Sequence, residues 1–314
     1  MTMIFGALQL GLLYSLLAMG VFISFRVLNT PDLTAEGSFT FGVTVATMVT
    51  AAGHPWLALP AAMAAGAAAG IVTGELQTRV GIHPILAGIL TMSGLYSVNL
   101  AVMGAASNVT LIGVDTLFKR LYNLIPAAAE IGKEAVKLYK QYIQLGVGLV
   151  AAAAVLGLLV WFFGTHIGLC IRATGNNEAM VRSSSINSDR MKVLGLAVSN
   201  GCIGLCGGLI AEYNGYGDIS SGVGILVVGL ASVIIGEAIF GRRSVTLGLV
   251  SAIVGSVLYR LIIALALNTD LLPSYFLKLI SAVIVGIALA IPRIKDAVAR
   301  SRIRRANREE DDHA

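Results

Sequence analysis

About nine apolar stretches recur along this 314-residue chain, most of them long enough to cross a bilayer. The hydrocarbon core takes about 20 apolar residues per helical crossing. The stretches fall near 4–25, 38–53, 57–74, 84–104, 141–164, 192–213, 223–241, 244–267 and 274–291. Lipid offers the backbone no hydrogen bonds, so crossings must be helices or closed barrels. Barrel strands alternate every second residue over about ten positions. These runs of Leu, Ala, Gly and Val do not, so they predict helices. Charged residues make up only 12% of the chain, about half the share of soluble domains. The mean hydropathy is +0.84. The expected fold is an all-α polytopic membrane helix bundle of about nine segments, or eight to ten if one is broken or re-entrant. Residues 1–292 form a single transmembrane domain and 293–314 a charged tail. The first stretch has no basic leader and no small-residue cleavage site, so it reads as a span and not a removed signal peptide.

Basic residues set the expected orientation. The tail carries Arg293, Lys295, Arg300, Arg302, Arg304, Arg305 and Arg308. The segment 165–192 carries Arg172, Arg182, Arg190 and Lys192, and two turns carry Arg79, Arg242 and Arg243. These fourteen share one side if nine spans alternate, against five in the loop 105–140 opposite. The positive-inside rule then makes the tail cytoplasmic. Asn29, Pro31, Asp32, Glu36 and Gly37 interrupt helix within 26–42. If the chain re-enters there, both termini are cytoplasmic; if every stretch crosses, the N-terminus is outside.

The loop 105–140 is the only sizeable external piece. Its second half, residues 127–142, has helical spacing at Ile131, Ala135, Leu138 and Tyr142. An interfacial helix on the lipid surface is expected, with a docking surface for an external partner as the alternative. Cys170, Cys202 and Cys206 form no disulfide framework or metal spacing, and His54, His83, His166 and His313 lack motif partners.

Two polar breaks resemble each other. Pro31-Asp32-Leu33-Thr34-Ala35-Glu36-Gly37 follows the first span, and Gly217-Asp218-Ile219-Ser220-Ser221-Gly222-Val223 follows the sixth. Each has Asp, an aliphatic residue, then a hydroxyl, with an Asn shortly before it, Asn29 or Asn214. An odd number of intervening spans inverts topology, and inverted repeats with broken helices commonly place the breaks on a substrate path. Asn29, Asp32, Thr34, Asn214 and Asp218 are therefore candidate pathway residues. Two unrelated turns would use the same residue types.

Gly66, Gly70 and Gly74, with Ala62 a turn earlier, give small-xxx-small spacing for close helix packing. Arg260 and Lys278 are expected toward the outer ends of their spans, level with Asp270 and Glu212. Glu237 is expected near Arg242 and Arg243. Snorkelling and local pairing account for such charges more simply than a polar gate does.

The segment 172–191 is too polar to span. Asn176 is placed to cap a short helix with Glu178 in its first turn, and Ser188 to cap the following span. The result is a cytoplasmic lever between two spans, with Met180 and Ile186 exposed and Glu178 four residues from Arg182.

Here the sequence resembles a family. Asn177-Glu178-x-Met180…Ile186-Asn187 is similar to the coupling-helix motif of permease subunits in branched-chain amino-acid and ribose-type ABC importers. The opening Gly11-Leu-Leu-Tyr14-Ser-Leu-Leu-Ala18…Asn29-x-x-Asp32…Glu36-Gly37 resembles their first signature. Leu86-Ala-Gly-Ile-Leu-Thr91-Met and Gly229-Leu-Ala-Ser-Val-Ile-Ile-Gly236-Glu237 resemble a subgroup predicted to import amino acids. Relatives usually have Gly where Ser185 precedes the Ile-Asn pair, and Ser enters positive φ only with strain.

The resemblance implies a permease subunit of a bacterial plasma (inner) membrane importer, as a homodimer or pseudo-dimer. It would be clasped by cytoplasmic ATP-binding subunits and fed by an extracytoplasmic solute-binding protein. Asn177, Glu178, Met180, Arg182, Ile186 and Asn187 would couple it to the ATPase. The chain has no Gly-x-x-x-x-Gly-Lys-Ser/Thr phosphate loop, so ATP would be used by the partner and no cofactor or metal is expected here. The competing class is an ion-coupled secondary transporter, with Asp32, Glu36, Asp218 and Glu237 carrying protons or sodium; a passive channel is a weaker third.

Overall fold

A computed structural model describes residues 2–123, 133–241 and 243–267, together with Leu279, Val283 and Gly286. Helix α1, Thr2–Phe22, runs into a π-helical turn at Ile23–Val27. There follow α2, Thr34–Ala51; α3, Pro55–Thr78; α4, Pro84–Val102; the short α5, Leu117–Asn123; and α6, Lys133–Gly164. The second half holds α7, His166–Asn176; α8, Glu178–Ser183; α9, Ser188–Asn214; α10, Ile225–Phe240; and α11, Val245–Leu267. Six described helices are long and apolar enough to cross a membrane; α2 and α10 are shorter or less apolar. The expected segment 274–291, with Lys278, Asp270, Arg242 and the tail 293–314, lies outside the described residues apart from three positions.

Local chemistry sets the helix ends. Pro55 and Pro84 open α3 and α4, where a missing N–H costs nothing. Gly215 closes α9 in the left-handed conformation, with φ 73°. The outer faces stay apolar: Leu57, Val72, Leu90, Val150, Leu158 and Trp161 are all exposed. On a soluble protein that surface would aggregate; against lipid it is the required solvent.

Helix α9 is the axis of the fold, with α1, α2 and α3 packed around it. A Cβ at Gly66 would strike the Asn200 carbonyl, and one at Gly70 the Leu196 carbonyl. Gly42 of α2 abuts Gly204 in the same way. With no side chain between them, backbones approach within van der Waals reach, which substitutes for the hydrophobic drive absent in lipid.

Two features depart from expectation. Residues 133–142 are not a separate interfacial helix but the first turns of α6, whose 32 residues run unbroken. Nothing between Lys133 and Gln144 breaks a helix, and α1 holds this extension: the Gln9 side chain donates to the Gln141 carbonyl at 2.7 Å, and the Phe5 and Tyr142 rings meet edge to face. Residues 127–132 lie outside the described residues. The first half of the loop forms a strand, β1, Asn108–Thr110, pairing antiparallel with β2, Tyr216–Asp218, so that Asn108 faces Asp218.

Candidate functional site

One cleft lies where the two polar breaks come together. The start of α2, the inner face of α4 and the chain after β2 enclose about 510 Å³, lined by Glu36, Thr40, Met92, Tyr96, Asn99 and Val223 among others. Glu36 Oε1 accepts from the Gly224 N–H at 3.0 Å, which ties the first break to the second. Asn99 is 1% exposed and its Oδ1 has no partner among the described groups. Tyr96 forms the open wall.

A buried polar chain adjoins this cleft. Asp32 Oδ2 accepts from the Asn200 side chain at 2.6 Å, and Asp32 Oδ1 from the Thr34 N–H at 2.9 Å. Thr34 and Thr73 hydroxyls meet at 2.7 Å, and Thr73 donates to Thr91 at 3.0 Å. Buried polar groups need such partners, because each unpaired one costs about 1–3 kcal/mol.

The five pathway candidates do not form one cluster. Asp32 and Thr34 are fully buried in the polar chain. Asn29, at φ 52°, lines a groove at the basic end of the bundle. Asn214 is exposed at the end of α9, and Asp218 is half-buried in β2. None of the five lines the cleft itself. The two aspartates nonetheless make the same local turn: Asp218 Oδ1 accepts from the Ser220 N–H at 2.6 Å, two residues on, as Asp32 does from Thr34. Matched spacing thus gives matched turns, while their surroundings differ.

At the basic end, the segment 172–191 is braced by ion pairs. Asn177 rather than Asn176 caps α8, accepting from the Met180 N–H at 3.1 Å. Asn187 rather than Ser188 caps α9, accepting from the Arg190 N–H at 3.0 Å. The same side-chain chemistry acts one residue away, because α7 continues through Asn176 and leaves Asn177 as the extended residue. Arg182 reaches Glu178 at 2.9 Å and Asp189 at 3.0 Å, and Lys192 reaches Glu178 at 2.7 Å. Lys192 first, then Arg182, hold the Glu178 carboxyl below the usual glutamate range. Met180 is 57% exposed, and Ile186 is half-buried. Ser185 sits at φ 61°, in the region that favours glycine.

A family model described as "Branched-chain amino acid transport system / permease component" matches residues 3–289. The chain belongs to this permease family. Three curated relatives fit that assignment in extent. A tyrosine transport system permease protein of Clostridioides difficile is 36% identical over 92% of this chain and 91% of its own. An uncharacterized protein of Rickettsia prowazekii is 29% identical over 94% of this chain and 100% of its own. A fructose import permease protein of Bifidobacterium longum is 26% identical over 80% of this chain and 67% of its own. No solved structure matches.

Several of the permease's intramembrane groups have partners that spacing did not predict. Glu237 pairs with Arg26 at 2.7 Å, where the π-helical turn after α1 meets the end of α10, and shares a hollow with Arg243; Arg242 lies outside the described residues. Glu212 is held by Thr50 and by the Leu117 N–H, not by Arg260. Arg260 instead lies 3.8 Å over the Tyr14 ring, a cation–π contact. Sequence reasoning missed Asn99 and Asn200. Each is the one amide side chain in the interior of a long membrane helix, and that was the available signal.

Proposed function

We propose that this permease is the membrane subunit of an ATP-driven importer for an amino acid, seated in the bacterial plasma (inner) membrane. Two copies form the pore. Cytoplasmic ATP-binding subunits drive it, and an extracytoplasmic solute-binding protein delivers the substrate. The single observation that carries this is the family match across residues 3–289. The name of the tyrosine relative supports an amino acid over a sugar, at 36% identity against 26%.

The end bearing α8 is cytoplasmic in this proposal. Arg79 and Arg190 share a hollow there, and Arg26, Arg172 and Arg243 share another, as the positive-inside rule favours. Residues 172–191, with Asn177, Glu178, Met180, Arg182, Ile186 and Asn187, couple to the ATPase. The salt-bridged brace supports a rigid lever, since α8 is only six residues long and would not hold its shape alone. Residues 1–292 act as one permease domain of about nine segments, with an inverted repeat whose two Asx turns are its trace. The cleft at Glu36 and Asn99 belongs to the substrate path: a carboxylate and an amide oxygen without a partner among the described groups, set beside apolar walls, suit an amino acid's ammonium group and side chain.

The decisive experiment is reconstitution. In liposomes with the ATP-binding subunits and the solute-binding protein, uptake requires ATP inside the cytoplasmic compartment. The chain alone, with a sodium or proton gradient, accumulates nothing. Concentrative uptake by the chain alone overturns the proposal in favour of an ion-coupled transporter.

A further inference from the structure

The coupling end carries a second site that import does not call for. Two contiguous hollows of about 560 and 420 Å³ share Arg26, Asn29, Arg172 and Val245. Arg243 lines the second, and among the described residues Glu237 is the only carboxylate lining either. The groove therefore carries three guanidinium groups against one carboxylate. That carboxylate is engaged by Arg26 at 2.7 Å. Among the described residues, no ion pair forms to Arg172 or Arg243, and both are exposed. The side chains converge from α1, α7 and the α10–α11 turn, so the charge is gathered by tertiary packing.

Beside the polar Asn29, Asn176 and Ser244, the groove has an apolar wall. Phe22, Phe25 and Leu169 line it, with the Phe22 ring lying against Gly248 of α11. Ile167 and Leu169 on α7, 45% and 50% exposed, continue the apolar surface outward. A concentrated positive pocket at the cytoplasmic end of membrane helices, opening on an apolar face, matches one chemistry: a phosphodiester headgroup with acyl chains attached. Arginine suits phosphate through its planar, bidentate donors.

We infer that this groove between α1, α7 and α11 binds the phosphate of an anionic phospholipid and so fixes the coupling end against the cytoplasmic leaflet. The seat is next to the lever, since Asn176 at the end of α7 lines the same hollow and immediately precedes the α8 cap. Lipid bound here would hold α7 in place while α8 moves with the ATPase.

The test uses the assembled transporter, permease with its ATP-binding subunits, purified in detergent and supplied with phosphatidylglycerol, phosphatidylcholine or inorganic phosphate. Native mass spectrometry counts retained lipid, and thermal unfolding reports stabilisation. Phosphatidylglycerol is retained in preference to phosphatidylcholine and raises the melting temperature, whereas inorganic phosphate does not. The double variant Arg172→Gln/Arg243→Gln lowers phosphatidylglycerol affinity by about thirtyfold, at roughly fivefold per basic residue, and Arg172→Lys/Arg243→Lys retains most of it. Equal retention of both lipids overturns the inference, as does unchanged phosphatidylglycerol binding in the Gln variant. Stabilisation by inorganic phosphate alone assigns the groove to a free anion instead. Loss of the ATP-binding subunits from the Gln variant, with lipid retention intact, assigns it to the ATPase.

Discussion

Asn200 and Asp32 are 168 positions apart and joined by a 2.6 Å hydrogen bond at the centre of the bundle. Asn200 also donates to the Leu196 carbonyl, its own helix one turn back, so the amide is fixed when it meets the carboxylate. Breaking one side of such a contact leaves a buried acceptor unpaired. Asn200→Leu should lower stability by about 1–3 kcal/mol, read as a fall in melting temperature of the purified permease. Asn200→Asp, which sets two carboxyls side by side, should do more harm. An unchanged melting temperature in both would mean that Asp32 is satisfied by Thr34 alone.

Met180 is the exposed apolar residue of the lever. If the proposed contact with the ATPase holds, Met180→Asp puts a charge at its centre and should weaken association by about 2 kcal/mol or more, roughly thirtyfold. The permease itself should fold normally, since the side chain faces water in the isolated chain. Co-purification of the ATP-binding subunits measures the loss, with Lys137 on α6 as a neutral control. Full complex formation and full coupling in Met180→Asp would make the segment an ordinary connector.

Ser185 holds a positive φ without glycine's freedom. The strain is about 1–2 kcal/mol. Ser185→Gly should relieve it and leave coupling intact or stronger, while Ser185→Val, whose branched Cβ is worse there, should loosen the α8–α9 junction. Hydrogen exchange at 178–190 reports both. Equal protection in all three would show that the junction tolerates the strain without cost.

The brace on Glu178 has a pH signature. Its carboxyl is held low by Lys192 and Arg182. The stabilisation is therefore complete above the unfolded glutamate value, about 4.3, and is lost as pH falls through the lower folded value. Protection of α8 should stay flat from neutral pH to about 5 and fall only below about 4.3; Glu178→Gln should lower the plateau and abolish the fall. A transition near pH 6 would point to a different group.

Gly70 meets the Leu196 carbonyl with no room for a side chain. Gly70→Ala should cost about 1–3 kcal/mol by forcing α3 away from α9, and Gly70→Leu should prevent stable insertion. Gly94, with open space around it, is the control: Gly94→Ala should be neutral. Equal melting temperatures for Gly70→Ala and Gly94→Ala would contradict the close helix contact.

The class of molecule was legible in the residues alone. Apolar runs longer than a bilayer core leave helices as the only economical structure. That constraint is local, so each of the six long apolar helices overlies a run read from the sequence. The short helix α8 was legible for the same reason. Asn177, Glu178 and Arg182 act on neighbours within one turn, and their caps and ion pair followed from spacing to within a residue. Partners distant in the chain were another matter, and packing chose every one of them. Arg26 finds Glu237, Asp32 finds Asn200, and Glu36 finds Gly224, each across more than 160 positions. Helical periodicity tells which face of a span is polar, but not which helix will lie against it. That choice belongs to the glycine contacts around α9, where backbone-to-backbone fit, felt only at contact distance, selects one packing among many.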